Sequence, residues 1–273
     1  MAEITRIQPR ASLAPAAVRR GALDEHLVSL ADPHAYEAEQ YRTLRHLVEQ
    51  EHQSRGVSVV AVSSADVGDG KTTTAINLAG ALAQATDRRV LLVDADLRRP
   101  AVASRLGLEP GRRGLAEAVF DASLDLTAVS QRYASFNLSV VPAGRFIGIT
   151  YEALQSSRFG QLVAEARQHY DHVILDTPPM LPIADARIIG PYVDRFILVV
   201  GAHRTPRKLL GEALSLLPPD KVLGLIFNYD GHSPDRHRAY YGLESPEPPP
   251  PALGWGALAR AVTGLVGGPG SWR

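Results

Sequence analysis

The sequence predicts an α/β fold in which a predominantly parallel sheet is covered by helices on both faces. Three observations indicate it: apolar runs of strand length recur along the chain, longer helical stretches separate them, and a glycine-rich loop joins the first run to the first helix. Continuous Val, Ile and Leu runs are typical of strands that are buried on both faces. The predicted strands are 57–64, 89–96, 138–144, 172–179, 195–202 and 221–228, and the helical connectors are 71–86, 151–169, 183–191 and 205–217.

The composition limits the classes of function. A chain of 273 residues can form one α/β domain of about 200 residues with tails. The formal net charge is zero, so bulk charge gives no indication of a nucleic-acid partner, and none is expected. Cysteine is absent, which excludes disulfides, thiolate metal sites and a cysteine nucleophile. No apolar run reaches the roughly 18 residues of a membrane span, and a cytoplasmic protein is expected.

The domain organisation has three parts. Residues 1–27 lack the continuous apolar stretch of a secretory signal and are predicted to be a flexible arm. Residues 28–230 are predicted to form the α/β domain. Residues 231–273 are predicted to be a tail, in which "ESPEPPPP" at 244–251 is a stiff polyproline linker.

The glycine-rich loop lies in the stretch "SSADVGDGKTTTAINLAGAL" at 63–82. In such loops successive backbone N–H groups turn inward and hold phosphate oxygens at a helix N-terminus. Gly68 and Gly70 supply the turning freedom. Lys71 would reach the β- and γ-phosphates, and the Thr72 hydroxyl would bind Mg²⁺. The sequence therefore predicts a P-loop NTPase fold.

Carboxylates follow two of the predicted strands. Asp94 and Asp96 end the run in "LLVDADLRRP", and Asp176 ends the run in "VILDTPP". Ligands of open parallel sheets bind beyond the carboxyl ends of the strands. One carboxylate there can hold Mg²⁺ through its water shell, and another can take the proton of an attacking hydroxyl or water. For any single aspartate the alternative is an N-cap of the next helix, but three of them beside a P-loop predict a nucleotide site.

These three motifs resemble the Walker A, Walker A′ and Walker B motifs of the bacterial tyrosine kinases, which are relatives of the MinD/ParA ATPases. The resemblance covers about residues 28–230. It includes "LVSLADPHAYEAEQYRTLR" before the first strand, "VVPAG" in the middle, "YDHVILDTPP", and "VLGLIFN" near the end.

The resemblance implies ATP and Mg²⁺ as cofactors and gives roles to residues of this chain. Asp94 is the expected catalytic base, Lys71 acts on the phosphates, and Asp96 assists the placement of metal and water. Asn228 is expected to contact the adenine. The expected nucleotide-binding residues are Val67, Gly68, Asp69, Gly70, Lys71, Thr72, Thr73 and Asn228, and the expected metal site consists of Thr72, Asp94, Asp96 and Asp176.

Several departures from the family patterns separate the subfamilies. Asp66 stands where MinD/ParA proteins carry a lysine that reaches the partner's nucleotide, and a negative charge cannot do that work. Val67 replaces the proline usual in the kinase loop, Ala65 replaces the first glycine of the P-loop pattern, and "GRFIGITYEALQSSRF" lacks the usual Asn-Pro. None of these changes affects an expected catalytic group.

Glu39, Arg42 and Arg45 match the E-x-x-R-x-x-R motif with which such kinases join subunits. On a helix these residues fall within a stripe of about 120°. The alternative is a solvated charged face with weak pairs between neighbouring turns. The apolar residues on another face of the same helix are Tyr41, Leu44, Leu47 and Val48.

The tail carries the expected acceptors. "HRAYYGLES" contains Tyr240 and Tyr241, which match the tyrosine cluster that family members present to a neighbouring subunit. Tyr229 lies close to the last strand and is expected to be packed. Beyond the linker, a stripe suited to docking, or else disordered, is formed by Trp255, Leu258, Val262, Leu265 and Val266.

The expected function is that of a cytoplasmic ATP-dependent protein-tyrosine autokinase that regulates capsule or exopolysaccharide synthesis and export. The resemblance implies a homo-oligomer such as a ring, and a membrane-bound activator of the polysaccharide co-polymerase type with a cytoplasmic tail, which would hold the kinase at the inner membrane. One alternative is a MinD/ParA-like positioning ATPase, favoured by the basic cluster Arg204, Arg207 and Lys208. Another is an ATP-binding regulatory subunit.

Overall fold

A computed structural model of the chain describes residues 24–109, 111–133, 136–145 and 150–230. The α-helices are α1 (Val28–Ala31), α2 (Tyr36–Arg55), α3 (Lys71–Ala83), α4 (Val102–Arg105), α5 (Leu115–Phe120), α6 (Leu126–Val129), α7 (Thr150–Gln155), α8 (Ser157–His169), α9 (Asp185–Ile189) and α10 (Arg207–Ser215). The strands are β1 (Val59–Ser64), β2 (Val90–Asp94), β3 (Gln131–Tyr133), β4 (Leu138–Val141), β5 (His172–Asp176), β6 (Arg195–Gly201) and β7 (Val222–Asn228). Short 3-10 helices occupy Gly190–Tyr192 and Pro219–Lys221.

The strands form one seven-stranded sheet in the order β3-β4-β2-β5-β1-β6-β7. All neighbours are parallel except β3 and β4, which pair antiparallel. The predicted α/β fold with a predominantly parallel sheet is therefore confirmed, and all six predicted strands form. The additional strand β3 is a three-residue edge strand without the apolar run that identified the others.

Helices cover both faces of the sheet with separate apolar clusters. On one face Phe159 of α8 and Ile189 of α9 pack among buried residues of α5 and α10. On the other face Val48 of α2 and Leu78 of α3 pack against the sheet. The central strands β1, β2 and β5 are buried along their whole length, as expected for parallel strands between two helical layers.

Two predicted helical connectors differ in detail from the observed helices. The stretch 151–169 contains two helices, because the chain breaks at Ser156, whose hydroxyl accepts the N–H of Phe159 at 3.2 Å and caps α8. The stretch 183–191 begins as α9 and tightens into the 3-10 helix that includes Pro191.

Helix α2 packs on the sheet through part of its predicted apolar face. Val48 is fully buried, and Leu44 packs against the same cluster. Leu47, on the same predicted apolar face, is 49% exposed. The helix ends at Gly56, whose φ of 69° is the left-handed conformation that commonly terminates helices.

All of the described residues lie in one compact unit of the chain. Within this unit, part of the predicted N-terminal arm is fixed on the domain, because Leu27 is fully buried. Asn77 of α3 donates its side-chain amide to the carbonyl of His26 at 2.8 Å, and its side-chain oxygen accepts the N–H of Ser29 at 2.9 Å. In the part of the chain that the structure describes, no helix has the length and apolar character needed to cross a membrane.

Candidate active site

The glycine-rich loop connects β1 to α3 at the carboxyl edge of the sheet. Gly68 and Gly70 have φ values of 88° and 94°, a conformation that residues with a Cβ rarely adopt. Gly70 is the N-cap of α3 and leaves the first turn without a side-chain cap. The first N–H groups of a helix lack intrahelical partners, so this helix end suits an anion such as phosphate. Val67, at the turn of the loop, is 53% exposed.

Residues that lie far along the chain hold the loop in place. The Asn228 side-chain amide donates to the carbonyl of Asp69 at 2.9 Å, and the Tyr229 hydroxyl lies 3.3 Å from the carbonyl of Gly68. The Thr205 hydroxyl donates to Asp69 Oδ1 at 2.7 Å. Asn228, which we expected at the adenine, thus binds the loop backbone in this structure, and a contact with adenine stays a prediction.

The register of the sheet brings the predicted carboxylates to the same place. Strands β1, β5 and β2 are neighbours, and Asp94 stands opposite Asp176 in the β2–β5 pair. Thr72 Oγ1 donates to Asp176 Oδ2 at 2.7 Å. Lys71 Nζ lies 2.8 Å from Asp96 Oδ2 and 3.7 Å from Asp176 Oδ1. Residues from all three predicted motifs therefore meet at one site.

Asp94 is fully buried, and backbone N–H groups hold its carboxylate. Oδ1 accepts from Asp96 at 3.2 Å, and Oδ2 accepts from Ala101 and Val102, each at 3.0 Å. Burial, followed by the negative charge of Asp176, raises the pKa of Asp94 to about 7. The N-cap of α4 is Ala101 rather than Asp94, although the Asp94 carboxylate accepts N–H groups at the start of that helix. A role of Asp94 as catalytic base stays a prediction.

The charges at the site are unbalanced. Burial raises the pKa of Asp176 to about 6, although the charge of Lys71 and the hydroxyl of Thr72 lower it. Burial lowers the pKa of Lys71, but the charges of Asp176 and Asp96 outweigh that effect and raise it above its usual value. Three carboxylates thus surround one ammonium group, and Asp176 Oδ1 has no hydrogen-bond partner within the described residues.

This donor set fits a divalent cation that shares its ligands with a bound nucleotide. Within the described ranges no group of three His, Cys, Asp or Glu side chains forms a ready metal cluster. Mg²⁺ commonly takes only one or two carboxylates, keeps several waters and binds substrate phosphates. The partnerless oxygen of Asp176 and the neighbouring Thr72 hydroxyl suit that mode. Metal binding by the four expected ligands, Thr72, Asp94, Asp96 and Asp176, stays a prediction.

The predicted interface motif lies on α2. Arg42 Nη2 pairs with Glu39 Oε2 at 2.9 Å and donates to the carbonyl of Pro33 at 2.6 Å. Arg45 Nη1 donates to the carbonyl of Ala81 at 3.1 Å, near the C-terminal end of α3. Arg45 thus has an intramolecular role, and a role of the three residues between subunits stays a prediction.

Three contacts to the loop and the start of α3 come from residues to which we assigned no site role. Thr205 follows β6, and Arg105 at the end of α4 lies 2.8 Å from Thr73 Oγ1. Tyr229 was expected to be packed but is 50% exposed, with the Arg204 guanidinium 4.8 Å from its ring centroid. No local motif marks these residues, because each contact joins distant parts of the chain.

The predicted acceptors Tyr240 and Tyr241 and the apolar stripe of the tail lie outside the described residues.

Comparisons with known proteins agree with this geometry. The family model described as an AAA domain matches residues 57–200. The tyrosine-protein kinase YwqD of Bacillus subtilis (strain 168) is 35% identical over 228 residues, which cover 83% of this chain and 95% of that protein. The succinoglycan biosynthesis transport protein ExoP of Rhizobium meliloti (strain 1021) is 32% identical over 76% of this chain, but the match spans only 28% of ExoP.

A solved structure also shows similarity of this chain to a tyrosine kinase. The kinase domain of the Escherichia coli tyrosine kinase ETK superimposes with a TM-score of 0.70 at 27% identity, covering 79% of this chain and 85% of that domain. The fold, the three nucleotide motifs and nearly full-length similarity to a named kinase therefore agree, and the chain belongs to the bacterial tyrosine kinase family.

Proposed function

We propose that this chain is a protein-tyrosine kinase that uses ATP and Mg²⁺ and phosphorylates tyrosines of other copies of the same protein. Its activity regulates capsule or exopolysaccharide synthesis and export. Its family membership and the names of its relatives support this function. The observation that carries the proposal is the meeting of Lys71, Thr72 and Asp176 beside the buried base candidate Asp94. Phosphoryl transfer depends mainly on positioning and charge stabilisation, and these groups can supply both.

Nucleotide binding would rearrange the pairing of Lys71. Its ammonium group is bound to Asp96 in this structure, at 2.8 Å. Phosphate oxygens would compete with that carboxylate for the ammonium, and Asp96 would then be free to bind the metal or a water of its shell. Asp176 and Thr72 are already in contact and would hold the metal beside the phosphates. The bound ion neutralises the charge that develops on the phosphoryl group.

Asp94 is proposed to accept the proton of the acceptor tyrosine. An ionised carboxylate offers about four lone-pair sites, and the three backbone N–H groups that bind Asp94 leave room for one more donor. A phenol has a pKa of about 10 and is a poor nucleophile until its proton is removed. A fixed base whose pKa is raised to about 7 suits that step near neutral pH.

The proposed function also requires acceptor tyrosines, an interface between subunits and an activator. Tyr240 and Tyr241 are the proposed acceptors, presented to a neighbouring subunit. The helix α2 motif Glu39, Arg42 and Arg45 is the proposed subunit joint. We also propose that a membrane-bound protein of the polysaccharide co-polymerase type supplies an activating cytoplasmic tail and holds the kinase at the inner membrane; similarity to a protein named for succinoglycan biosynthesis transport supports such a partner.

One experiment tests this function. The purified full chain is incubated with labelled ATP and Mg²⁺, with and without candidate activator tails, and phosphotyrosine is mapped by mass spectrometry. Transfer to tyrosine supports the kinase. Hydrolysis that DNA or lipid stimulates, without transfer, would instead identify a MinD/ParA-like positioning ATPase. Nucleotide binding with neither activity would identify a regulatory subunit.

A further inference from the structure

A second cation reaches the phosphate loop from outside the three nucleotide motifs. Arg105 is the last residue of α4, and its Nη1 lies 2.8 Å from Thr73 Oγ1. The same atom lies 3.2 Å from Asp24 Oδ2, in the segment that precedes α1. Thr73 follows Lys71 by two residues, in the first turn of α3. The guanidinium therefore lies beside the helix end at which a nucleotide phosphate would bind.

The charge of Arg105 acts on the site itself. It is one of the groups that lower the pKa of Asp176, the buried carboxylate bound to Thr72. The Arg105 side chain is 37% exposed, so it is accessible to a ligand from solvent. Both contacts described above use Nη1, whereas a guanidinium carries five N–H donors in a fork that matches phosphate oxygens.

A purely structural explanation is that Arg105 anchors the N-terminal segment to the domain through its ion pair with Asp24. That segment already has other attachments. Leu27 is fully buried, and Asn77 binds the backbone on both sides of it. The Asp24 carboxylate also accepts the N–H of His26 at 3.0 Å, within its own turn. The segment thus has anchors besides Arg105, and the contact with Thr73 is directed at the first turn of α3.

We propose that Arg105 is a phosphate-binding residue of the nucleotide site: its guanidinium contacts the phosphate chain of a bound nucleoside diphosphate or triphosphate next to Thr73, as a second cation beside Lys71. The inference rests on the proposed function and deepens it. Arg105 lies outside the glycine-rich loop and both aspartate motifs, so none of those motifs includes it. Phosphate oxygens would compete with the Asp24 carboxylate, which pairs with the guanidinium at 3.2 Å.

The test compares nucleotide affinities of the full chain by isothermal titration calorimetry with ADP and Mg²⁺. Charge-assisted hydrogen bonds are worth enough that Arg105→Ala should weaken ADP binding by about tenfold or more. Arg105→Lys should retain part of the affinity, because it keeps the charge but loses the fork. The parent's affinity should also fall more steeply with added NaCl than that of Arg105→Ala.

Two matched variants separate phosphate binding from anchoring. Asp24→Ala removes the same ion pair from its other end and should leave ADP affinity at the parental value or strengthen it by a few-fold, because Asp24 no longer competes for the guanidinium. Arg55→Ala removes an exposed arginine from the end of α2, where it pairs with Glu51, and controls for net charge. Thermal unfolding of every variant checks that the fold is retained.

The outcomes distinguish the proposed phosphate binding by Arg105 from the proposed kinase function on which it rests. Parental ADP affinity and salt dependence in Arg105→Ala would overturn the inference and leave the kinase proposal intact. Equal losses in Arg105→Ala and Asp24→Ala would also overturn it, because they would assign the effect to anchoring. A parent that binds no nucleotide would overturn the proposed function together with the inference.

Discussion

Asp94→Asn should abolish phosphoryl transfer and, at alkaline pH, stabilise the fold. The parent's Asp94 is fully buried, and its pKa is raised from 3.8 to about 7 by burial and by the charge of Asp176. The native state therefore holds a proton that the unfolded chain has lost between these two pH values. In this window the stability contributed by Asp94 falls as pH rises, by about 1.4 kcal/mol per pH unit. Asparagine stays neutral and avoids that loss.

The size of the stability change follows from the pH range between the unfolded and the native pKa of Asp94. From pH 5 to pH 8 the parent should lose about 3 kcal/mol that Asp94→Asn retains, since the proton is released near pH 7. The asparagine NH₂ must face one of the three N–H donors that hold the carboxylate, and the longest contact, 3.2 Å to Asp96, is the least costly one to lose. That loss costs about 1–2 kcal/mol at both pH values. About 1.5 kcal/mol of the parent's loss falls between pH 3.8 and pH 5, so we expect the variant to be about as stable as the parent at pH 5 and about 2–3 kcal/mol more stable at pH 8.

The assay is urea unfolding of the nucleotide-free protein at pH 5 and pH 8, followed by circular dichroism. Asp87→Asn removes a carboxylate whose side chain is 77% exposed and controls for the change in net charge. The stability difference between Asp94→Asn and the parent must grow in favour of the variant by about 3 kcal/mol from pH 5 to pH 8. Equal destabilisation at pH 5 and pH 8 would refute a buried, proton-holding Asp94, and parental phosphoryl transfer by the variant would refute its role as the base.

Three further predictions concern the remaining parts of the site. Lys71→Met leaves the surrounding carboxylates without their ammonium partner, so nucleotide affinity measured by equilibrium dialysis should fall at least about tenfold; parental affinity would show that the lysine does not face the phosphates. Arg42→Ala combined with Arg45→Ala should reduce the oligomer mass in light scattering, and Arg45→Ala alone should lower the melting temperature because it loses the carbonyl of Ala81; an unchanged mass would remove the α2 motif from the interface. Tyr240→Phe combined with Tyr241→Phe should remove most phosphotyrosine in mass spectrometry of ATP-treated protein, and undiminished labelling would place the acceptors elsewhere.

Patterns local in sequence predicted the sheet and the centre of the site. The strands were visible because both of their faces are buried, which leaves continuous apolar runs such as β1 and β5. The meeting of Asp94 and Asp176 could be anticipated because both aspartates end parallel strands, and their register places them side by side. Strand β3 had no such signal, because only Gln131 of its three residues is buried and the strand pairs along a single edge.

Contacts between distant segments could not be read from the sequence. Thr205 and Asp69 are 136 positions apart, and Arg105 and Thr73 are 32 apart. Each contact depends on how the loops leave the sheet, and a loop carries no periodic pattern from which its path follows. Arg45 shows the opposite case: its motif favours a subunit joint, whereas the fold also places its guanidinium on a carbonyl of the neighbouring helix.

The attachment of Asn228 and Tyr229 to the phosphate loop matters for anyone who shortens, tags or fuses this chain. Strand β7 ends at Asn228, so the polypeptide leaves the described domain at the two residues that hold the carbonyls of Asp69 and Gly68. A truncation that removes these two residues would release the loop from that side, and a rigid fusion that displaces them would do the same. A shortened protein intended for nucleotide studies should therefore keep Tyr229, and a purification tag is better separated from it by a flexible spacer.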